Sequence, residues 1–224
     1  MVLKLIANPR ALSVLFDLDG TLVDSSAGIL TSLIHALEAH NVSPVAPLDS
    51  TLIGPPLREI ITSLCPKDTP DHIQSIMDTF KFHYDTIGCL MTTPFLGIEP
   101  MLHSLGDQGI TLSIVTNKRA VPATLIIRHL QWSHMFSYVY SPDSFKPSSP
   151  SKSKLITKLL QDANIDSAGC CYIGDRLDDW YSARSNGIRF GWAKWGFSGD
   201  NLIFDDNSFV LNHPNADLII SKLG

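Results

Sequence analysis

The stretch Val14-Leu15-Phe16-Asp17-Leu18-Asp19-Gly20-Thr21-Leu22-Val23-Asp24 decides how the rest of this 224-residue chain is read. An apolar run suited to a buried strand stops at two carboxylates two positions apart, and a glycine follows that lets the backbone turn sharply. Residues two apart on a strand share one face, so Asp17 and Asp19 crowd a single strand end. For Asp-x-Asp alone, a polar strand terminus closed by an Asp19-Gly20 turn accounts for the pattern as well as a functional pair does.

Outward from this stretch, short apolar runs recur. Each ends in polar or glycine-rich residues and most precede a helical pattern, the signature of a parallel sheet flanked by helices. The runs predict strands at 14–16, 111–115, 138–140, 171–173, 188–192 and 218–220. Pro122 suits a first helical turn, and Leu125, Ile126 and Leu130 continue it as a stripe. Ser151 or Ser153 can cap a helix whose Leu155, Ile156, Leu159 and Leu160 face the sheet. The expected fold class is α/β: a mainly parallel Rossmann-like sheet with helices on both faces, plus an inserted α-helical cap domain.

The insertion is read from an interval too long for a simple crossover, roughly Asp24 to Thr93, with helical patterns but no convincing strand. Ile29, Leu33 and Leu37, beside Leu30 and Ile34, make one apolar stripe, and a second helix is expected from Asp71 to about Thr86. The division is therefore 1–23 and 94–224 for the core and 24–93 for the cap. Neither an internal repeat nor a charge block interrupts this plan.

Composition narrows the partners. A 44% hydrophobic content supports a sizeable core, unlike a disordered chain. A formal net charge of -5 without a basic run argues against nucleic-acid binding and for a small-molecule partner. Cys65, Cys89, Cys170 and Cys171 form no CxxC pair, and the adjacent two sit in an apolar stretch, where reduced cysteine acts as a small hydrophobe. Lys4, Asn8, Pro9 and Arg10 interrupt the first apolar residues, and the chain lacks 18 consecutive apolar residues, so neither a signal peptide nor a membrane span is expected. A reducing cytoplasm is the expected compartment. The histidines, His35, His40, His72 and His83 among them, show no metal-ligand spacing.

Three further segments lie just after candidate strands, where ligands of parallel α/β sheets bind. Thr116-Asn117-Lys118 follows Leu112-Ser113-Ile114-Val115, and by itself reads as a helix cap or turn sooner than as a functional group. Lys146-Pro147 precedes a serine-rich helix start and by itself reads as surface loop. Tyr172-Ile173-Gly174-Asp175, with Asp178 and Asp179 following, again puts acids at the end of an apolar run, where capping the next helix is the alternative.

As a set and in this order, with the inserted cap, the four pieces resemble the haloacid dehalogenase-like hydrolases, in particular the helical-capped phosphoglycolate phosphatase type. The resemblance runs over nearly the whole chain from Leu12, including Pro94 and Gly97 after the cap, Ala183 to Gly187, and Asp217. It departs in two places. Many members have Lys-Pro-x-Pro, whereas Pro147 here is followed by Ser148, Ser149 and Pro150, lengthening the loop by one residue. Members commonly place serine or threonine after the acid of the fourth piece, where this chain has Arg176.

The resemblance implies a Mg²⁺-dependent phosphatase acting on a small phosphate monoester through an aspartyl phosphate. Asp17 would be the nucleophile and Asp19 the general acid/base. Thr116, Asn117 and Lys146 would hold the phosphoryl group. Asp17, the Asp19 backbone carbonyl and Asp175 would hold the metal, with Asp179, rather than Asp178, as outer-shell acid or extra ligand. Gly54 and Arg58 fall in the cap segment that faces the site in relatives, where a guanidinium suits a substrate carboxylate; Arg58 pairing with an acid of its own helix is the alternative. Asp19 argues against dehalogenation, because a halide leaves without a proton. A sugar-phosphate mutase and a non-catalytic phosphate-binding scaffold are the competing readings. A monomer or homodimer is expected.

Overall fold

The computed structural model describes residues 12–53, 55–145, 151–198 and 204–223. In chain order the strands are β1 (Ser13–Phe16), β2 (Val23–Asp24), β3 (Thr93–Pro94), β4 (Thr111–Val115), β5 (Tyr138–Tyr140), β6 (Cys170–Gly174), β7 (Arg189–Ala193) and β8 (Ser208–Leu211). The helices are α1 (Ser26–Ala39), α2 (Leu57–Leu64), α3 (Pro70–Thr86), α4 (Ile98–Asp107), α5 (Ala120–His129), α6 (Lys152–Asp162), α7 (Leu177–Ser185) and α8 (Ala216–Leu223). Six strands form one sheet in the order β5-β4-β1-β6-β7-β8, every neighbouring pair parallel.

The apolar strands are explained by burial on both faces. Val14 and Phe16 of β1 point into a core shared with Ile126 of α5 and Ile219 of α8. Leu15 points the other way, toward Leu155, Ile156 and Leu159 of α6 and Ala183 of α7. A strand with no solvent face has no position for a polar alternate, so polarity begins only where the strand ends. Chain order reverses at β1, with β4 and β5 on one side and β6 to β8 on the other, which opens a crevice at the strands' carboxyl ends.

A helical stretch is inserted between the two strands of a short antiparallel ribbon. β2 and β3 pair antiparallel, Val23 with Pro94 and Asp24 with Thr93, so the chain leaves and re-enters the core at adjacent points. Between them lie α1, α2 and α3. Leu33, Leu37, Ile61, Leu64, Ile76 and Phe80 supply its interior. Thr69 caps α3 by accepting from the His72 N–H, with Pro70 next in the first turn.

One expected element is corrected. Leu218 to Ile220 is helix, not strand: Asn215 Oδ1 accepts the Leu218 N–H at 2.9 Å, and the buried residues of α8 are Ile219 and Leu223, four apart. Three consecutive apolar residues carry no period of their own, and the Asn cap decides the outcome. The sheet edge is taken by β8, whose short apolar run follows the polar Asp205, Asp206 and Asn207. The four cysteines are free and buried, and burial raises their thiols, Cys170 to about 12. Among the described residues, no helix is long and apolar enough to cross a membrane.

Candidate active site

Three loops meet at the crevice because three neighbouring strands end there. Asp17 follows β1, Thr116 follows β4, and Asp175 follows β6. Asp17 continues the ladder through its N–H to the Ile173 carbonyl (2.9 Å), and Thr116 does so through its N–H to Tyr140 (3.0 Å). Beyond Asp17 the backbone coils tightly, with the N–H groups of Leu22 and Val23 both donating to the Leu18 carbonyl (3.0 and 3.1 Å). Gly20 makes this possible. Its φ is +82°, and a Cβ there would lie 2.5 Å from Asp175 Oδ2, so a side chain would fail on both counts.

Carboxylates of Asp17, Asp175 and Asp179 offer oxygens that all lie within 4.8 Å of one another, and all three residues are buried. Asp179 is brought in by the first turn of α7: it accepts the Arg176 N–H at 3.0 Å, and a Cβ on Gly174 would collide with its carboxyl group. Asp175 is strapped from the segment after β7, where Phe197 N–H donates to its Oδ2 (2.9 Å) and Ser198 Oγ donates to its carbonyl. Trp195 Nε1 donates to the Thr21 carbonyl (2.9 Å), fixing the same segment to the loop after β1.

Against these acids stands Lys152, itself buried, at 3.2 Å from Asp17 Oδ2 and also bonded to Asp179 Oδ1. Burial works to discharge this ammonium, but Asp17 and Asp179 outweigh it and hold Lys152 above the ordinary lysine range. Among the described residues, one cation bonded to this cluster faces three carboxylates. Burial above all, then Asp179 and Asp17, push Asp175 up to about 7, opposed by the Phe197 N–H and Lys152. Asp17 moves in the same direction, chiefly by burial, with Lys152 opposing and Asp179 and Asp19 adding. Among the described residues, Asp17 Oδ1 has no hydrogen-bond partner despite being buried. Hard oxygen donors, excess negative charge and an unpartnered carboxylate oxygen are the donor set that a divalent cation such as Mg²⁺ requires, so the residues fit the metal.

Asp19 faces the other side of the crevice. Its two oxygens accept from Lys118 Nζ at 2.8 and 2.9 Å. Thr116 Oγ accepts the Lys118 N–H (3.1 Å), which leaves its hydroxyl proton to donate elsewhere. Asn117 Nδ2 donates to Asp178 Oδ2 (3.0 Å), so of the two acids in the α7 first turn Asp179 enters the carboxylate cluster and Asp178 closes against the loop after β4.

Lys146 and Gly54 lie outside the described residues. Arg58 is exposed and donates to Gln74 of α3 rather than to a group of the crevice. Arg176 reaches the insertion, where its Nη1 donates to the Ile53 carbonyl (3.3 Å). Lys152 and Lys118 were not assigned roles from sequence, although Lys152 carried a signal. It stands at the i, i+3, i+4, i+7 spacing with Leu155, Ile156 and Leu159, a lysine on the buried stripe at the positive end of a helix dipole, where a cation is disfavoured unless acids face it.

The chain belongs to the haloacid dehalogenase-like hydrolases, matching that family over residues 14–193. More particularly, it is 31% identical over 192 residues to a phosphoglycolate phosphatase of Xylella fastidiosa, covering 85% of this chain and 82% of that protein. It is 30% identical over 202 residues to the tyrosine-protein kinase PtkA of Mycobacterium tuberculosis, covering 89% of this chain and 68% of that one. Among solved structures it is similar to a haloacid dehalogenase-like family hydrolase of Streptococcus pneumoniae, with a TM-score of 0.77 and 25% identity over 94% of this chain and 98% of that one.

Proposed function

We propose that the chain is a Mg²⁺-dependent phosphatase that hydrolyses a small phosphate monoester, of the phosphoglycolate kind, through a phosphorylated Asp17. The observation that carries this reading is the buried cluster of Asp17, Asp175 and Asp179 around Lys152, with Asp17 Oδ1 unpartnered at the sheet's carboxyl edge. An isolated carboxylate attacking a phosphate dianion meets strong repulsion, so a site that uses one must supply cations. Lys152 is one such cation. Asp17, Asp175, the Asp19 backbone carbonyl and Asp179 would hold Mg²⁺, which when bound neutralises charge on the transferring phosphoryl group.

Asp17 then attacks phosphorus and the bond to the leaving oxygen breaks, with Asp19 delivering the proton that oxygen needs. In the second half Asp19 takes a proton from water, and the water displaces Asp17. Thr116 and Asn117 donate to the phosphoryl oxygens, with Lys146 as the further cation expected from sequence. The insertion, 24–93, acts as the cap that excludes water from the core formed by 1–23 and 94–224 and selects the leaving group, Gly54 and Arg58 belonging to its substrate-facing segment. The protein works as a monomer or homodimer in the cytoplasm.

The test is release of inorganic phosphate from a panel of phosphorylated metabolites, including 2-phosphoglycolate, sugar phosphates and nucleotides, with Mg²⁺ and with EDTA. Metal-dependent release is the expected result, and its absence across the panel sinks the reading in favour of a binding scaffold. Isomerised sugar phosphate without phosphate release would identify a mutase. The kinase among the relatives adds one arm, ATP with a tyrosine peptide, where phosphotyrosine formation would redirect the assignment.

A further inference from the structure

Two consecutive residues of the loop after β4 meet two consecutive residues near the end of α3. Arg119 forms a two-pronged ion pair with Asp85 (2.8 and 2.6 Å), and Lys118 Nζ lies 4.7 Å from the centroid of the Tyr84 ring. Tyr84 is buried. The Lys118 side chain is only 7% exposed, with both Asp19 oxygens on one side and the ring on the other. Asp19 is thus held by a residue of the loop after β4 whose largely buried side chain is covered on one side by Tyr84 of the insertion.

We propose that Lys118 is a positioning residue for Asp19, and that Tyr84 makes this positioning depend on the insertion being closed over the crevice. The inference rests on the acid/base reading of Asp19 given above. A carboxylate on a short side chain can rotate, and an acid/base group misplaced by about 1 Å loses about 10²-fold in rate. Two N–H bonds from one ammonium to both oxygens fix the carboxylate plane. An ammonium has three donors, so it can yield one oxygen to the substrate and keep the other. With the insertion swung away, water would reach Lys118 and compete for both bonds, and Asp19 would lose its anchor. The chemistry is thereby armed only after the site is covered.

The experiment compares two esters that differ in their need for a proton. The alkoxide leaving from 2-phosphoglycolate must be protonated, whereas the phenolate of p-nitrophenyl phosphate departs with little help. Lys118→Met is expected to lose about 10²-fold more kcat/KM on 2-phosphoglycolate than on the aryl ester, in the direction of Asp19→Asn. Lys118→Arg should recover most of that selective loss, and Tyr84→Leu should show a smaller one of the same kind. The ratio of the two rates within one preparation does not depend on the fraction folded, so partial misfolding does not mimic the result. Equal losses on both esters in Lys118→Met would overturn the positioning role, and a wild-type ratio in Tyr84→Leu would overturn its dependence on the insertion. Failure of the underlying reading looks different: Asp19→Asn would then show no selectivity, or Asp17→Asn would still turn over.

Discussion

Two lysines keep largely buried side chains at the same sheet edge, and their surroundings are opposite. Lys152 serves Asp17 and Asp179 with Asp175 close by, three carboxylates against one ammonium. Lys118 has one carboxylate partner among the described residues, Asp19, which it meets through both oxygens. Like charges about 4 Å apart repel by about 4 kcal/mol at an effective dielectric near 20, so the first arrangement is incomplete without a further cation. The second is balanced within the chain. The contrast teaches that, among the described residues, the Asp17 side of the site carries acid in excess of its cation, whereas the Asp19 side pairs its carboxylate with one ammonium.

The largest effect should come from breaking the nucleophile side. Asp17→Asn is expected to reduce phosphate release with Mg²⁺ to background, while Asp19→Asn retains binding and loses about 10²- to 10⁴-fold in turnover. Steady-state phosphate release measures both, and continued turnover by Asp17→Asn would remove the nucleophile assignment. Next, Lys152→Met strips the only protein cation bonded to Asp17 among the described residues and leaves buried acids uncompensated. A stability loss of about 3–5 kcal/mol at neutral pH without metal is expected in urea unfolding, well above that of Lys146→Met. The reverse order would transfer the role to Lys146.

The smallest effect sharpens the comparison through pH. Asp175 has a folded value of about 7 against 3.8 unfolded, so between those values the metal-free folded chain binds the proton and the unfolded chain does not. Stability of the metal-free protein should therefore be greatest near the lower end of that window, fall by a few kcal/mol as pH rises through it, and level off above. Asp175→Asn should flatten this fall, and Mg²⁺ should oppose it at neutral pH. Thermal unfolding at pH 5 and pH 8 checks the sign; a metal-free protein more stable at pH 8 would show that charge crowding does not govern the cluster.

Much of this was legible in the sequence, for reasons that can be named. Strands buried on both faces announce themselves as apolar runs, and the polar residue that ends each run must stand at the sheet edge, which places Asp17, Thr116 and Asp175 together once the strands are parallel neighbours. Asp179 in the carboxylate cluster follows the spacing expected from the resemblance. Less legible was Leu218 to Ile220, where a side-chain cap outweighed an apolar triplet. In the sequence Arg58 stays open between a substrate carboxylate and an acid of its own helix, because a helix position does not say which neighbour a long side chain will meet; in the fold it donates to Gln74.

By itself, then, the amino-acid order determined a parallel α/β core, a helical insertion after the first strand, and acids at the strand ends, because each is written in neighbouring residues as period, length and turn chemistry. Tertiary structure alone decided which lysine faces which acid: Lys152 and Asp179 lie 27 residues apart, Lys118 and Asp19 lie 99 apart. No local pattern spans such intervals. Those pairings exist because crossover helices and the ribbon that closes the helical insertion return distant segments to one edge, where a buried ammonium must find a carboxylate or lose its charge.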